Sequence, residues 1–431
     1  MGYCWLNTLL AIELCISLAV VSWVPYTEID WSAYMQEVKG FLDGELDYTK
    51  LKGDTGPLVY PGGFVWSYSA LYFITKGGTD IGMAQWLYAG MYVMLFTAVA
   101  QIYVRSHVRG RLLIRLLLSK RIRSLFMLGL FNDSWAMLLL YLAVVTLANG
   151  RRWKLGCLLY SMAMSVKMNI FLFAPGLLVV LCKALPWSGV ISCLMVCAIW
   201  QIIAGLPFLL YDPQAYLGKS FEIGRVFTYR WSVNFKCVPE ELFVSPEFSK
   251  ILLILTLLSW IIVWRRRWSH RLFRRARVAT LRYVDGKSQP MEDNVRDSHD
   301  EVYQNIALTL MESNLIGVIF ARSLHYQFLV WFFHSMPMVL SATRLPFPLQ
   351  IASVVAVQYA FEAYPSTTSS SLVLLSGFAL AWFGILFMGA DGVISSSTST
   401  SSTASSKRKK KFLEHNKFVE DTSKSVTKKL Q

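Results

Sequence analysis

Gly189–Leu210 reads GVISCLMVCAIWQIIAGLPFLL, an apolar run with no charged side chain. A helix needs roughly 20 such residues to cross the hydrocarbon core of a bilayer. Thr8–Val24, Met83–Val104, Leu125–Ala148 and Leu372–Met388 are runs of the same kind. The 431-residue chain is 55% hydrophobic with a mean hydropathy of +0.43, more apolar than a soluble protein of this length requires. Aromatic residues, 14% of the total, often sit at the ends of the runs, as interfacial belts do. No small-residue cleavage site follows the first run, which reads as a signal anchor. The fold class is therefore an all-α polytopic membrane protein.

The apolar pattern predicts spans near residues 5–24, 58–76, 82–104, 124–149, 155–167, 170–183, 188–209, 250–264, 306–321, 324–340, 346–363 and 371–389. The shortest of these cross only as packed hairpins, and short broken helices line cavities in membrane enzymes and transporters. Two polar loops, about 25–57 and 211–250, interrupt the pattern. Loop one carries Glu28, Asp30, Glu37, Asp43, Glu45, Asp47 and Asp54; loop two carries Arg225, Tyr229, Arg230, Trp231, Asn234 and Lys236. A basic and then acidic insert spans about 265–300. The expected organisation is one transmembrane domain, 1–390, and a disordered basic cytosolic tail, 391–431.

The net charge of +15 is concentrated in Arg105–Arg123, Arg265–Arg282 and the tail from Lys407. In a polytopic protein such clusters anchor cytosolic loops rather than bind nucleic acid. With twelve spans both termini are cytosolic and the two polar loops share the opposite face. Arg105, Arg109, Arg111, Arg115, Lys120, Arg121 and Arg123 then fall on that face too, against the positive-inside preference. Either the span count is off by one there, or an anionic ligand holds these cations. Lys428 and Lys429 stand fourth and third from the end, the spacing of a dilysine retrieval signal of endoplasmic-reticulum membrane proteins, read by coat proteins. Of seven cysteines, Cys4, Cys15, Cys157, Cys182, Cys193 and Cys197 lie in or beside apolar runs and Cys237 is alone in a loop. There is no CxxC and no metal-ligand spacing, so no metal and no cofactor are expected.

The chemistry-bearing residues cluster at the loop-one side. Thr27-Glu28-Ile29-Asp30-Trp31 follows the first run directly. A carboxylate there, its proton affinity raised by partial burial, can act as a general base on a hydroxyl; an ordinary solvated loop entrance has the same composition. Asp54 precedes the rigid turn Thr55-Gly56-Pro57, leading to Pro61-Gly62-Gly63, where prolines fix φ and glycines permit close approach. Lys120-Arg121-Ile122-Arg123 and Asn132-Asp133 flank the fourth run, and Lys167 interrupts an apolar hairpin, a costly placement that marks a cavity-facing site. Arg322, His325, Tyr326 and Gln327 interrupt another. Several cations, an acidic pair and a histidine at one membrane face point to a phosphate-bearing substrate and a proton transfer.

Tyr26-Thr27-Glu28-Ile29-Asp30-Trp31, followed by Asp47-Tyr48-Thr49-Lys50-Leu51-Lys52-Gly53-Asp54-Thr55-Gly56-Pro57-Leu58-Val59-Tyr60-Pro61, resembles the dolichyl-phosphate-mannose-dependent α-1,3-mannosyltransferases of N-glycan precursor assembly. Leu130-Phe131-Asn132-Asp133, Ser165-Val166-Lys167-Met168-Asn169, Arg230-Trp231-Ser232-Val233-Asn234 and Arg322-Ser323-Leu324-His325-Tyr326-Gln327 look like further motifs of that family in the same order. The resemblance covers about residues 26–340. It implies a GT-C-type bundle of about 12 transmembrane or half-membrane helices with lumenal catalytic loops. It also implies dolichyl phosphate mannose as donor and lipid-linked Man5GlcNAc2 pyrophosphate as acceptor, at the endoplasmic-reticulum membrane. Asp30 becomes the expected catalytic base, with Glu28 its neighbour. Gly129 stands where the family carries arginine, Ser232 where threonine is commoner, and the insert from Arg265 to Asp300 is long.

The transfer so implied is inverting. Asp30 takes the proton of the attacking mannose 3-hydroxyl, and phosphate leaves without a general acid because cations meet its developing charge. Asp54, Lys120, Arg121, Arg123, Asn132, Asp133, Lys167, Arg230, Trp231, Asn234, Arg322, His325, Tyr326 and Gln327 form the expected substrate-binding set. Three other readings stand beside this one: a lipid-linked sugar transporter or flippase, which would show internal repeats; an acyltransferase leaning on His325; and a non-catalytic subunit of a glycosylation complex.

Overall fold

The computed structural model describes residues 2–108, 119–221, 228–271 and 292–388, with positions 112, 116, 117 and 273. Arg109, Arg111, Arg115, Arg225, Arg274, Arg275, the middle of the insert and the tail, with Lys407–Lys411, Lys428 and Lys429, lie outside the described residues.

The described chain is mostly helical. Its first half runs through α1 (Gly2–Trp23), α2 (Trp31–Leu42), α3 (Gly62–Ile74), α4 (Ile81–Arg105), α5 (Lys120–Arg123), α6 (Asp133–Ala148), α7 (Trp153–Val166) and α8 (Ala174–Ala184). Then follow α9 (Trp187–Tyr211), α10 (Pro213–Phe221), α11 (Glu240–Phe243), α12 (Pro246–Val263), α13 (Glu292–Ile319), α14 (Met336–Ser341), α15 (Phe347–Glu362) and α16 (Thr368–Phe387). One two-residue hairpin, Lys52–Gly53 against Gly56–Pro57, closes loop one, with Gly56 at φ 138°.

Among the described residues five helices are long and apolar enough to cross a bilayer: Leu6–Trp23, Ile81–Arg105, Trp187–Tyr211, Pro246–Trp268 and Thr368–Phe387. Lys120–Leu128 and Asp133–Ala148 qualify only as a pair, bent by 113°. About twelve spans were expected from the apolar runs, and these five or six are the ones of spanning length and apolarity. Of the other runs, 306–321 lies in the long but more polar α13, 155–167 and 346–363 form single shorter helices, and others are broken inside. Residues 124–149 are broken by a π turn at Ser124–Leu128 and by Leu130, whose φ of 48° lies in the left-handed region. Such a conformation in a branched residue costs of order 1–3 kcal/mol and clusters at functional sites. Residues 324–340 become a 3-10 turn, Tyr326–Trp331, and the short α14.

The run at 58–76 makes the largest difference. It forms α3, which lies along α2 instead of crossing. Tyr34 packs edge-on against Phe64 and Tyr68, with centroids 5.4 and 5.0 Å apart. At the far end of α3, the Trp31 indole donates to the Gly78 carbonyl at 2.9 Å. The chain thus returns at Ile81 to the face it left at Pro25. Helix α4 then carries Arg105 to the other face, where it bonds Asn149 at the end of α6, stacks on Tyr303 at 4.0 Å and approaches Asp300. Two helices of spanning length, Leu6–Trp23 and Ile81–Arg105, come before Ser106, one fewer than the three runs expected there. The Arg105–Arg123 cluster is split: Arg121 lies beside Tyr326 at the Asp30 end.

Close approach at the start of α3 depends on Gly62 and Gly63. A Cβ on Gly63 would sit 2.0 Å from Ser165 Oγ of α7, and one on Gly62 would sit 2.3 Å from the Ala204 carbonyl of α9. The glycine pair therefore seats loop one directly over the C-terminal end of α7, where Lys167 stands.

Candidate active site

Lys167 caps α7 in an extended conformation, φ −153° and ψ 133°, so its side chain leaves the helix where α7 ends. Its ammonium donates to Asn132 Oδ1 at 2.8 Å and to Asp133 Oδ2 at 2.7 Å. Those acceptors stand at the first turn of α6, brought there by the turn at Leu130. Asp133 is fully buried, and its second oxygen accepts from the Trp331 indole. The rings of Tyr60 and Phe328 each lie 5.4 Å from the ammonium, the geometry of cation–π contacts. His325, Phe328 and Trp331 form a continuous stack, with centroids 5.1 and 3.8 Å apart and nearly parallel planes.

Asp30 precedes the first turn of α2 and is half-buried. It accepts from the Tyr34 hydroxyl one turn along, at 3.4 Å. Burial pushes its carboxyl above the usual range. The Lys167 ammonium and the Tyr34 hydroxyl pull it back, and the negative charges of Asp133 and Glu28 push it up. Asp30 and the Lys167–Asp133 pair therefore act on one another electrostatically.

Glu28 and Asp54 are exposed and hold the shape of loop one. Glu28 accepts from the Tyr26 hydroxyl at 2.5 Å and from the Ser32 amide at 3.1 Å, capping α2 from outside. Asp54 exchanges hydrogen bonds with Gln36: its Oδ2 accepts at 2.5 Å and its amide donates at 2.8 Å. This ties the hairpin to α2 beyond Asp30.

Asn234 is buried and knits loop two to the segment after α13. It donates to the Ala321 carbonyl at 2.7 Å, accepts from the Leu324 amide at 2.8 Å and accepts from Ser232 at 2.9 Å. That bridge sets Arg322 and His325 in place. Arg322 donates to the Val244 carbonyl at 2.7 Å, and its Nε is buried with no partner among the described residues. Tyr326 donates to the Ala363 carbonyl at 2.8 Å and carries the Arg121 guanidinium over its ring. Gln327 is half-buried and Lys120 exposed. Arg230 and Trp231 are exposed and stacked on each other at 4.8 Å.

Arg123 has a different environment. It is buried and bonds both oxygens of Glu13 at 3.2 Å and the Leu117 carbonyl at 2.8 Å. Glu13 is the one acid within the first apolar run; an intramembrane ionisable residue is the signal that finds this pair. Tyr34, Tyr60 and Trp331 also contact the site without having been singled out, since buried aromatics read as core.

A family model described as ALG3 protein matches residues 7–371. The chain belongs to the ALG3 protein family. It is 44% identical to "Dol-P-Man:Man(5)GlcNAc(2)-PP-Dol alpha-1,3-mannosyltransferase" of Arabidopsis thaliana, over 83% of this chain and 81% of that one. It is 41% identical to the protein of the same name from Homo sapiens, over 84% and 82%. The Dictyostelium discoideum protein, named as a probable enzyme of this kind, is 37% identical over 88% and 90%. No solved structure matches the chain. Every residue of the Asp30, Asn132–Asp133, Lys167, Asn234 and His325 motifs falls inside the stretch matched to the ALG3 family.

Proposed function

We infer that this chain transfers mannose from dolichyl phosphate mannose to lipid-linked Man5GlcNAc2 pyrophosphate, forming an α-1,3 linkage. Family membership and the names of relatives matched over more than four-fifths of the chain support the activity. The observation that carries the mechanism is the half-buried Asp30 carboxylate under the influence of the buried Lys167–Asp133 pair.

Asp30 accepts the proton of the attacking 3-hydroxyl. Its raised proton affinity makes it a better base than a solvated carboxylate, and the Lys167 ammonium opposes that rise. Lys167 is already neutralised by Asp133, so its part is to orient and poise Asp30. Lys120, Arg121, Arg230 and Arg322 supply charge for the donor phosphate and the acceptor pyrophosphate. Arg123 is spent on Glu13 and is left out of that set. The stack of His325, Phe328 and Trp331 offers an aromatic wall beside the reacting sugar.

The architecture this implies is a GT-C-type bundle of about twelve elements, in which the short helices count as half-membrane elements. The active site faces the lumen of the endoplasmic reticulum, and Lys428 and Lys429 provide the coat-protein contact that retains the protein there. The test of the activity is reconstitution of the purified chain with dolichyl phosphate mannose and the lipid-linked heptasaccharide. A product one α-1,3 mannose longer is expected; absence of product from folded protein overturns the proposal in favour of a non-catalytic subunit or a flippase.

A further inference from the structure

At the end of the bundle away from Asp30, the turn between α6 and α7 carries Arg151 and Arg152, and the first turn of α7 carries Lys154. With Leu185 of the facing α8–α9 turn and Gly189 and Cys193 of α9, they line a cavity of about 430 Å³. All three cations are exposed. Among the described residues no carboxylate pairs with any of them; the acid named at this end, Asp300, is engaged by Arg105 and His107. The first turn of α7 begins at Arg152 without a side-chain cap, which adds unsatisfied amide donors to the same corner.

Basic residues that only fix topology stand free in water and need no cavity. Here they rim a hollow whose floor is apolar. Trp153, Leu155 and Leu185 supply the apolar lining, and Leu155 is 40% exposed, so apolar surface continues from the cavity along α7. Trp187, 75% exposed, marks the interfacial level. Charge above, apolar surface below and a cavity between match a phosphate head with acyl chains. Basic pockets between helices on the cytosolic side take such head groups.

We propose that this cavity is a binding site for an anionic glycerophospholipid, its phosphate held by Arg151, Arg152 and Lys154 and its chains leaving along Leu155 and Leu185. The site stands at the closed end of the α6–α7 hairpin, and the open end of that hairpin presents Asp133 and Lys167. A lipid bound there braces both helices at the end remote from the chemistry.

The test uses the purified full-length chain in detergent, titrated with phosphatidic acid or phosphatidylcholine and read by native mass spectrometry. Phosphatidic acid is expected to be retained preferentially. The variant Arg151→Gln/Arg152→Gln/Lys154→Gln, which keeps length but not charge, should lower that retention about tenfold or more. Equal retention by the variant, or equal retention of the two lipids, overturns the proposal. If the variant does not fold, a photoreactive phosphatidic acid on the native chain decides. Label within 151–155 or 185–194 supports the site, and label only elsewhere overturns it. Inorganic phosphate at matched concentration should leave retention unchanged; displacement by phosphate alone makes this a soluble-anion site and overturns the lipid assignment.

Discussion

Lys167 on the end of α7 donates to Asp133 on the first turn of α6 at 2.7 Å, joining two segments 34 residues apart in a buried ion pair. Both partners are nearly inaccessible, Lys167 at 8% and Asp133 at 0%. Such a pair adds little net stability over apolar residues of the same size, but removing one partner strands the other. That cost is about 3–5 kcal/mol.

Lys167→Met is therefore expected to lower thermal stability strongly, by leaving Asp133 buried and uncompensated. Asp133→Asn should do likewise to Lys167. The double variant should cost less than the sum of the singles, since it removes both charges. A double-mutant cycle on unfolding measures the coupling, and strict additivity would show that the pair is not a unit.

Glu37 gives a stability prediction with a sign. It lies on the buried face of α2, 4% exposed, and its Oε2 has no partner among the described residues. Burial, helped by the negative charge of Asp30, pushes its carboxyl up to about 8. The native state then holds a proton that the unfolded chain has already released. Stability is fully present below the unfolded value, 4.5, and falls as pH rises from there toward 8. Glu37→Gln mimics the protonated form and should flatten this dependence. Melting temperatures at pH 6 and pH 9 are the measurement. The native chain should lose stability between them by a few kcal/mol, and the variant much less.

Sequence reading reached the long apolar helices, and it differs from the structure where packing partners decide the outcome. Gly189–Leu210 could only be a spanning helix, and α9 covers it. Residues 58–76 have the same apolarity, yet Tyr60, Phe64 and Tyr68 bury against α2 rather than against lipid. Apolarity alone does not distinguish these two environments. Arg123 was grouped with the phosphate-binding cations because its partner, Glu13, lies 110 residues away, and a pairing at that range leaves no local trace. Conversely, Lys167 stood out because its position inside an apolar hairpin is costly wherever its partner comes from.

Asn132-Asp133-Ser134 has the form of a glycosylation sequon. The Asn132 side chain is fully buried, and its Oδ1 accepts from Lys167 at 2.8 Å. It cannot enter a transferase site without dismantling the Lys167 pair. Peptide mass spectrometry of the protein from a glycosylating host should find Asn132 unmodified; a glycan there would contradict the burial of this turn.

Asp30 carries the mechanism, and its variants read out both rate and pH. Asp30→Asn keeps size and can still accept from Tyr34, but it takes no proton. General base catalysis contributes roughly a hundred- to ten-thousand-fold, so turnover should fall by about that factor while donor binding barely changes. In the native chain kcat/KM should rise with pH through an acid limb, because only the ionised carboxylate is a base. Burial displaces that limb above the ordinary aspartate range. Removing the opposing cation with Lys167→Met should displace it further upward, in whatever fraction of that variant folds. Asp30→Asn should abolish the limb along with the rate. Near-normal transfer by Asp30→Asn would pass the role to Glu28 or Asp54, each testable by the same substitution. Both of those side chains are exposed and already bonded to α2 or its approaches, so neither is expected to replace Asp30. If all three variants transfer mannose, base catalysis by loop one is excluded, and His325, stacked on Phe328 across the Lys167 pair, becomes the group to change next.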